Sequence, residues 1–246
     1  MQASDEQVGF LIRDVRPTNA YEETMQRLLQ SIRLGIIPPG HRLPPERDLA
    51  EMLKVSRDTV REAISTLSEA GYVISLRGRY GGTFVAEALP DPGSAASEAP
   101  VSSEAEIDDI SVLRRVLEVG AARAAAAREL GAAERESLVS GLEECAAASA
   151  NDYRRLDSRL HLLIAELSGS RSLVQAVADM RTRANAMLDR IPILPPNLVH
   201  SNKQHAEIVS AILAGRPDAA AEAMRAHVDG SEALMRGFHA TPPERG

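Results

Sequence analysis

The sequence predicts a mostly α-helical chain, in which a small N-terminal domain closing on a β-hairpin is followed by an all-helical bundle. Three observations carry that expectation. Apolar residues recur at helical intervals through most of the 246 residues, whereas strand-like runs occur only once, as "YVISLR" and "GTFVAE" around "GRYG". Aromatic residues are only 3% and Trp is absent, so the core must be built from Leu, Ile, Val and Ala, which suits closely packed helices. Between Glu87 and Glu106 the chain runs "EALPDPGSAASEAPVSSEAE", with three prolines and no periodicity, which is a linker composition.

Bulk properties narrow the function classes. No apolar run approaches the roughly 18 residues of a membrane span, and the acidic start at Asp5 and Glu6 is unlike a signal peptide. The single Cys145 allows no internal disulfide. A cytoplasmic protein with no membrane partner is expected. The net charge is −7, which argues against nucleic acid as a partner of the whole chain. Residues 21–86, however, hold eight Arg and one Lys against eight acidic residues, a balance of +1 that leaves −8 for the remainder. Only the first third could bind a polyanion, and it would do so by placed arginines.

The N-terminal elements follow in order after a tail of residues 1–17. "NAYEETMQRLLQSIRLG" spaces Met25, Leu28, Leu29 and Ile32 on one helical face and stops at Gly35. "PPERDLAEMLKV" reads as a short helix opening at prolines, which a first turn tolerates. Ser56 then caps "RDTVREAISTLSEAG", whose buried stripe is Val60, Ala63, Ile64 and Leu67. The hairpin closes the domain. This order is that of a winged helix-turn-helix over residues 18–86. Its third helix presents Arg57, Thr59 and Arg61 on the outer face near a positive helix end, as a phosphate-lined major groove requires. Arg47 on the preceding helix, and Arg77, Gly78 and Arg79 in the wing, can flank that groove. Isolated arginines are more often plain surface charges; here their coincidence with the helix-turn-helix pattern favours DNA.

From residue 107 six helices are predicted, over 107–130, 133–149, 152–168, 171–191, 199–214 and 218–238. The breaks fall at Gly131, Asn151, Gly169, "IPILPPN" and "GRPD". Asp157 and His161 lie four apart on the third of these, so they share a face with apolar neighbours. His205 and His227 each lie eleven residues from Arg216, in the turn between the last two helices. In an antiparallel hairpin they therefore reach the same height, about 15 Å from the turn. One carboxylate and three imidazoles are a ligand set for a divalent transition metal such as Zn, Ni or Mn. The alternative, core histidines satisfied by local hydrogen bonds, stands equally on the residues alone. His41, His200 and His239 fall off this face or outside the bundle.

Two stretches resemble a known family. "GIIPPGHRLPPERDLAEMLKVSRDTVREAISTLSEAGYV" is similar to the DNA-binding domain of GntR transcription regulators. "DSRLHLLIAELSGS", "KQHAEIVSAILAGRPDAAAEAMRAHV" and "RRVLE" resemble the FCD effector domain of the FadR subfamily over 107–238. Six helices rather than seven would place it near the VanR-like variant. The resemblance implies that Arg47, Arg57 and Arg61 contact bases and phosphates, that Ser56 and Thr59 contact phosphates, and that Gly78 lets the wing enter the minor groove. Pro45 stands where the family commonly has Ser, which removes a helix cap and puts one phosphate contact in doubt. Gln204 stands where the family usually has Glu. The resemblance also implies that Asp157, His161, His205 and His227 hold a metal whose shell a small carboxylate completes.

The expected function is a homodimeric regulator on a palindromic operator, a repressor released by a small organic acid. It is not expected to be an enzyme. Arg114 could clamp the acid, with Arg181 or Arg183 as weaker candidates. Two other functions compete: a direct metal sensor without organic effector, and a metal-dependent hydrolase tethered to DNA. The last lacks H-E-x-x-H and an evident general base.

Overall fold

The computed structural model describes residues 20–78, 81–90, 103–191, 193 and 195–239, and its chain divides into two compact units. The predicted N-terminal tail, Arg79, most of the proline-rich linker and the last residues lie outside those described.

The first unit comprises residues up to 29 and 39–89. Its elements are α1 (Ala20–Arg33, whose last residues cluster with the second unit), α2 (Glu46–Leu53), α3 (Arg57–Glu69), β1 (Val73–Leu76) and β2 (Gly82–Val85). Helix α2 starts one residue later than its prolines suggest. Pro45 is its N-cap and offers no side-chain hydrogen bond, so the first turn is closed by the Pro45 carbonyl accepting from the amides of Asp48 and Leu49. Ser56 caps α3, accepting from the Thr59 amide at 3.1 Å. Val60, Ala63, Ile64 and Leu67 are buried, as their spacing predicts, which turns the arginines of α3 outward. β1 and β2 pair antiparallel, with Val73 opposite Val85 and Leu76 opposite Gly82, and a bridge from Arg42 to Phe84 extends the ladder.

The second unit is an all-helical bundle of α4 (Glu104–Ala126), α5 (Ala132–Ala146), α6 (Ala150–Leu167), α7 (Arg171–Leu188), α8 (Pro195–Leu213) and α9 (Pro217–His239). Helices α4, α5 and α7 end three or four residues before the predicted 130, 149 and 191, and two helices start early by as much. Helix α4 begins three residues early because Ser103 and Glu106 form a reciprocal capping box. Helix α8 begins four residues early, at Pro195, because the prolines that suggest a loop occupy a first turn, where no amide is needed. Helix α4 packs most extensively on α9, and α8 on α9. The core between them is aliphatic and small: Ile107, Ile110, Ala121, Ala122 and Ala125 of α4 meet Ile208, Ile212, Ala220, Ala221 and Val228. Alanines let the helices approach closely, and long side chains then have room only where the core opens around charged groups.

Candidate metal centre and nucleic-acid surface

Asp157 and His161 of α6, His205 of α8 and His227 of α9 meet inside the bundle, all four buried. The turn at Ala214, Gly215 and Arg216 sets α8 and α9 antiparallel, which is why residues eleven before and eleven after Arg216 face each other. Their ring centroids are 4.5 Å apart, and His161 completes the group at 5.5 Å from His205 and 5.1 Å from His227. One ligand atom from each of the four residues lies within 4.8 Å of the others. At metal–ligand bonds of about 2.1 Å, opposite ligands of an octahedral shell lie about 4.2 Å apart and those of a tetrahedral shell about 3.4 Å, so the widest pair would draw in by roughly 0.6 to 1.4 Å on metal binding.

The ring nitrogens test the fit. Asp157 Oδ1 lies 3.3 Å from His205 Nε2 and 3.8 Å from His161 Nε2, yet neither nitrogen makes a hydrogen bond. Buried polar atoms left so are rare and call for an explanation such as an ion. Their outer nitrogens have neighbours: His161 Nδ1 is 2.6 Å from Glu118 Oε1, though off the line of its N–H, His205 Nδ1 is 3.9 Å from Cys145 Sγ, and His227 Nδ1 is 3.2 Å from Gln204 Oε1. With Nδ1 turned outward, the Nε2 atoms are left to converge.

Around the four lies a buried ionic net. Arg181 pairs with Asp157 Oδ2 and, at 3.4 Å, with Glu118 Oε1; Arg114 Nε donates to Glu118 Oε2 at 2.8 Å. Burial alone would raise the Asp157 carboxyl, but Arg181 and then the histidines overcome it and hold it well below the usual range. Glu118 is held low in the same way, chiefly by Arg114 and His161. Burial, with the neighbouring His205 and His161, pushes His227 well below the ordinary imidazole value, and burial lowers His161 against the pull of Glu118. The Cys145 thiol is pushed up by burial, so it stays neutral. Arg114 is 1% exposed, both its Nη atoms lack a partner, and the residue is among those that border a cavity of ≈280 Å³. Asp157, Arg181, His227 and Gln204 border the same cavity.

Of the three predicted effector arginines, the structure brings Arg114 and Arg181 to this cavity. Arg183 is not there. It points to solvent, half exposed, and its guanidinium pairs with Asp109 at 2.5 Å, because its position two residues from Arg181 places it on the opposite side of α7. His200, predicted to lie off the face, does border the cavity from α8.

On the first unit, a cleft of ≈380 Å³ is bordered by Arg42, Arg47 and Arg57, with backbone of β2 along one side. Arg61 is exposed and donates to Glu46 at 2.9 Å and Asp58 at 3.0 Å, and Arg47 donates to Asp48 at 3.0 Å. The Ser56 and Thr59 hydroxyls pair with each other at 2.8 Å at the open end of α3. Arg77 is exposed at the end of β1. Gly78 has φ +110° and open space around it, so its backbone, not crowding, selects glycine there.

Two family descriptions match this chain: "Bacterial regulatory proteins, gntR family" over residues 20–85 and "FCD domain" over residues 109–230. The chain belongs to the GntR family. It is a GntR-type transcription regulator with an FCD effector-binding domain, and the pairing fits the FadR-like subfamily. It is 29% identical over 233 residues, 91% of this chain and 89% of the other, to a protein of Escherichia coli (strain K12) provisionally named L-lactate dehydrogenase operon regulatory protein. It is 27% identical to the HTH-type transcriptional regulator LutR of Bacillus subtilis (strain 168), covering 84% of this chain and 97% of that one. Among solved structures, E. coli McbR/YncC superposes with a TM-score of 0.54 at 20% identity over 90% of this chain and 99% of that chain, which supports the fold. These matches favour the regulator over the tethered hydrolase.

Two residues of this GntR regulator escaped the sequence reading. Glu118, which ties both arginines to His161, follows Arg114 by four and reads as an ordinary helix-surface pair. The signal was its register: Ile107, Ile110, Arg114, Glu118, Ala121 and Ala125 form one buried stripe. Arg42 precedes the first predicted contact and has no helix to mark its face.

Proposed function

We propose that this regulator binds a divalent transition metal through Asp157, His161, His205 and His227, and that a small organic acid on that metal releases a homodimeric repressor from a palindromic operator in the cytoplasm. The observation that carries the reading is a buried cluster in which the Nε2 atoms of His161 and His205 are unbonded, and whose other two members, Asp157 and His227, border the same cavity as Arg114, a residue with two unpaired Nη atoms. The ion, when bound, supplies a Lewis-acidic centre that takes oxygen donors. Arg114 and Arg181 balance Asp157 and Glu118, so a divalent ion brings an excess of about +2 into a buried site, and a carboxylate is the ligand class that offsets it. Arg114 would orient the acid by two parallel N–H donors. The lactate-operon name of one relative agrees with an acid effector.

In the first unit, Arg42, Arg47, Arg57, Arg61 and Arg77 would neutralise phosphates and read bases, with Ser56 and Thr59 exchanging their mutual bond for phosphate and Gly78 carrying the wing to the minor groove. Effector binding regulates by differential affinity for the two spacings of the paired DNA-binding domains.

The test is metal analysis of the full-length protein followed by calorimetry. About one divalent ion per chain is expected, and lactate, malate or citrate should bind the metal-loaded protein and not the chelator-stripped one. Metal-free protein whose melting is indifferent to chelator and to added zinc, nickel or manganese would sink the metal reading. Metal-dependent switching of operator binding without any acid would favour a direct metal sensor.

A further inference from the structure

We infer that Gln204 is a positioning residue for the metal centre: its amide oxygen holds His227 in the tautomer that aims Nε2 at the ion. The inference rests on the metal reading above and concerns a residue that is itself no ligand.

The amide's orientation is set by what surrounds it. Gln204 is half-buried on α8, and its Nε2 donates at 3.4 Å to the backbone carbonyl of Ala226, a group that can only accept. Oε1 is therefore the atom turned to His227 Nδ1, 3.2 Å away. A carbonyl oxygen accepts, so Nδ1 must carry the proton, and the lone pair of the imidazole falls on Nε2. Both contacts of the amide fall on consecutive residues of α9, 226 and 227, so one side chain fixes the ring against its own backbone. Sitting next to His205 in sequence, Gln204 also fixes the facing imidazole to the helix that carries the other one.

The chemistry of this partner differs from that at His161, where Glu118 brings a full negative charge to Nδ1. An amide orients an imidazole but polarises it less than a carboxylate does. His227 is thus the weaker donor of the two histidines whose outer nitrogen faces an oxygen, and with a carboxylate at position 204 the site should bind the ion at least as tightly as with the native amide.

The experiment measures zinc affinity of full-length wild type, Gln204→Leu and Gln204→Glu by competition with a chromogenic chelator. Melting of the chelator-stripped forms checks that each variant is folded. Leu keeps the bulk and removes the acceptor, and is expected to weaken zinc binding 10- to 100-fold, the usual loss when an outer hydrogen bond to a metal-bound histidine is removed. Glu restores the acceptor and is expected to bind at or above the wild-type level, a rescue that a packing role for Gln204 would not produce. Wild-type affinity in the Leu variant, or equal weakness in both variants, overturns the inference while leaving the metal reading intact. Wild-type protein that takes up no zinc overturns both.

Discussion

Arg181 engages only one oxygen of Asp157: it pairs with Oδ2, and leaves Oδ1 facing the histidines, 3.3 Å from His205 Nε2. The carboxylate therefore has two duties, one to a fixed cation of the protein and one to the centre of the cluster. Removing a partner from a buried pair costs about 3–5 kcal/mol because the remaining charge has no compensation. Arg181→Met should destabilise the chelator-stripped protein by that order. Bound metal can compensate Asp157 in place of the guanidinium, so the loss should be smaller in metal-loaded protein. Denaturant titrations of both forms give the comparison, and an equal loss with and without metal would show that Asp157 faces no ion.

The recognition helix gives a second expectation. Arg57 borders the arginine-rich cleft, exposed, on a helix whose packing face is complete without it. Arg57→Ala should leave the melting temperature unchanged and weaken operator binding by about 1–3 kcal/mol per half-site. Fluorescence anisotropy at matched salt reads the change, and unaltered affinity would remove α3 from the DNA interface. Arg61 is held by Glu46 and Asp58 and must exchange these carboxylates for phosphate or base.

The cluster should also make stability depend on pH. Burial depresses His227 and His161 below the ordinary value of 6.5, so in the metal-free native state both stay neutral while the unfolded chain takes up protons. The sign follows: stability is present above about pH 6.5 and is lost as pH falls below it, by up to about 1.4 kcal/mol per pH unit for each histidine. Asp157 and Glu118 lie too low to titrate in that window. Urea midpoints of stripped protein between pH 7.5 and 5.5 should fall, and His227→Gln should flatten the slope; a flat wild-type profile would contradict neutral buried imidazoles.

What the sequence discloses, and what it hides, follows from periodicity. His205 and His227 can be matched by counting from Arg216 because antiparallel helices rise equally from their turn, and the stripe of α3 can be read because four apolar residues outline it. Arg114 can be placed at the border of the α4 stripe, but Glu118, four residues on, occupies a position that a hydrophobic count assigns to surface charge. Only the convergence of α6 and α7 on α4 turns them into a buried net with Arg181. Arg183, two residues from Arg181, falls on the opposite side of α7, a distinction that residue type alone does not contain.

The last expectation concerns Arg114. Its Nε is committed to Glu118 and both Nη atoms are unpaired, at 1% exposure, beside the cavity that Asp157 and His227 also border. A guanidinium with one edge tied down and the other without a partner is prepared for a bidentate acceptor, and its rotamer entropy is already lost before ligand arrives. In Arg114→Met, Glu118 keeps Arg181 at 3.4 Å and His161 at 2.6 Å, so the carboxylate is not abandoned and the metal ligands keep their outer contacts. Metal content should accordingly stay near the wild-type level. Acid binding should weaken by about 1.5–3 kcal/mol, the range for hydrogen bonds to charged groups, or roughly 10- to 150-fold. Calorimetry with lactate, malate and citrate on metal-loaded wild type and variant reads both quantities on one sample. If the variant binds these acids as tightly as wild type while retaining metal, the unpaired edge of Arg114 serves no carboxylate, and the acid is held by the metal without it.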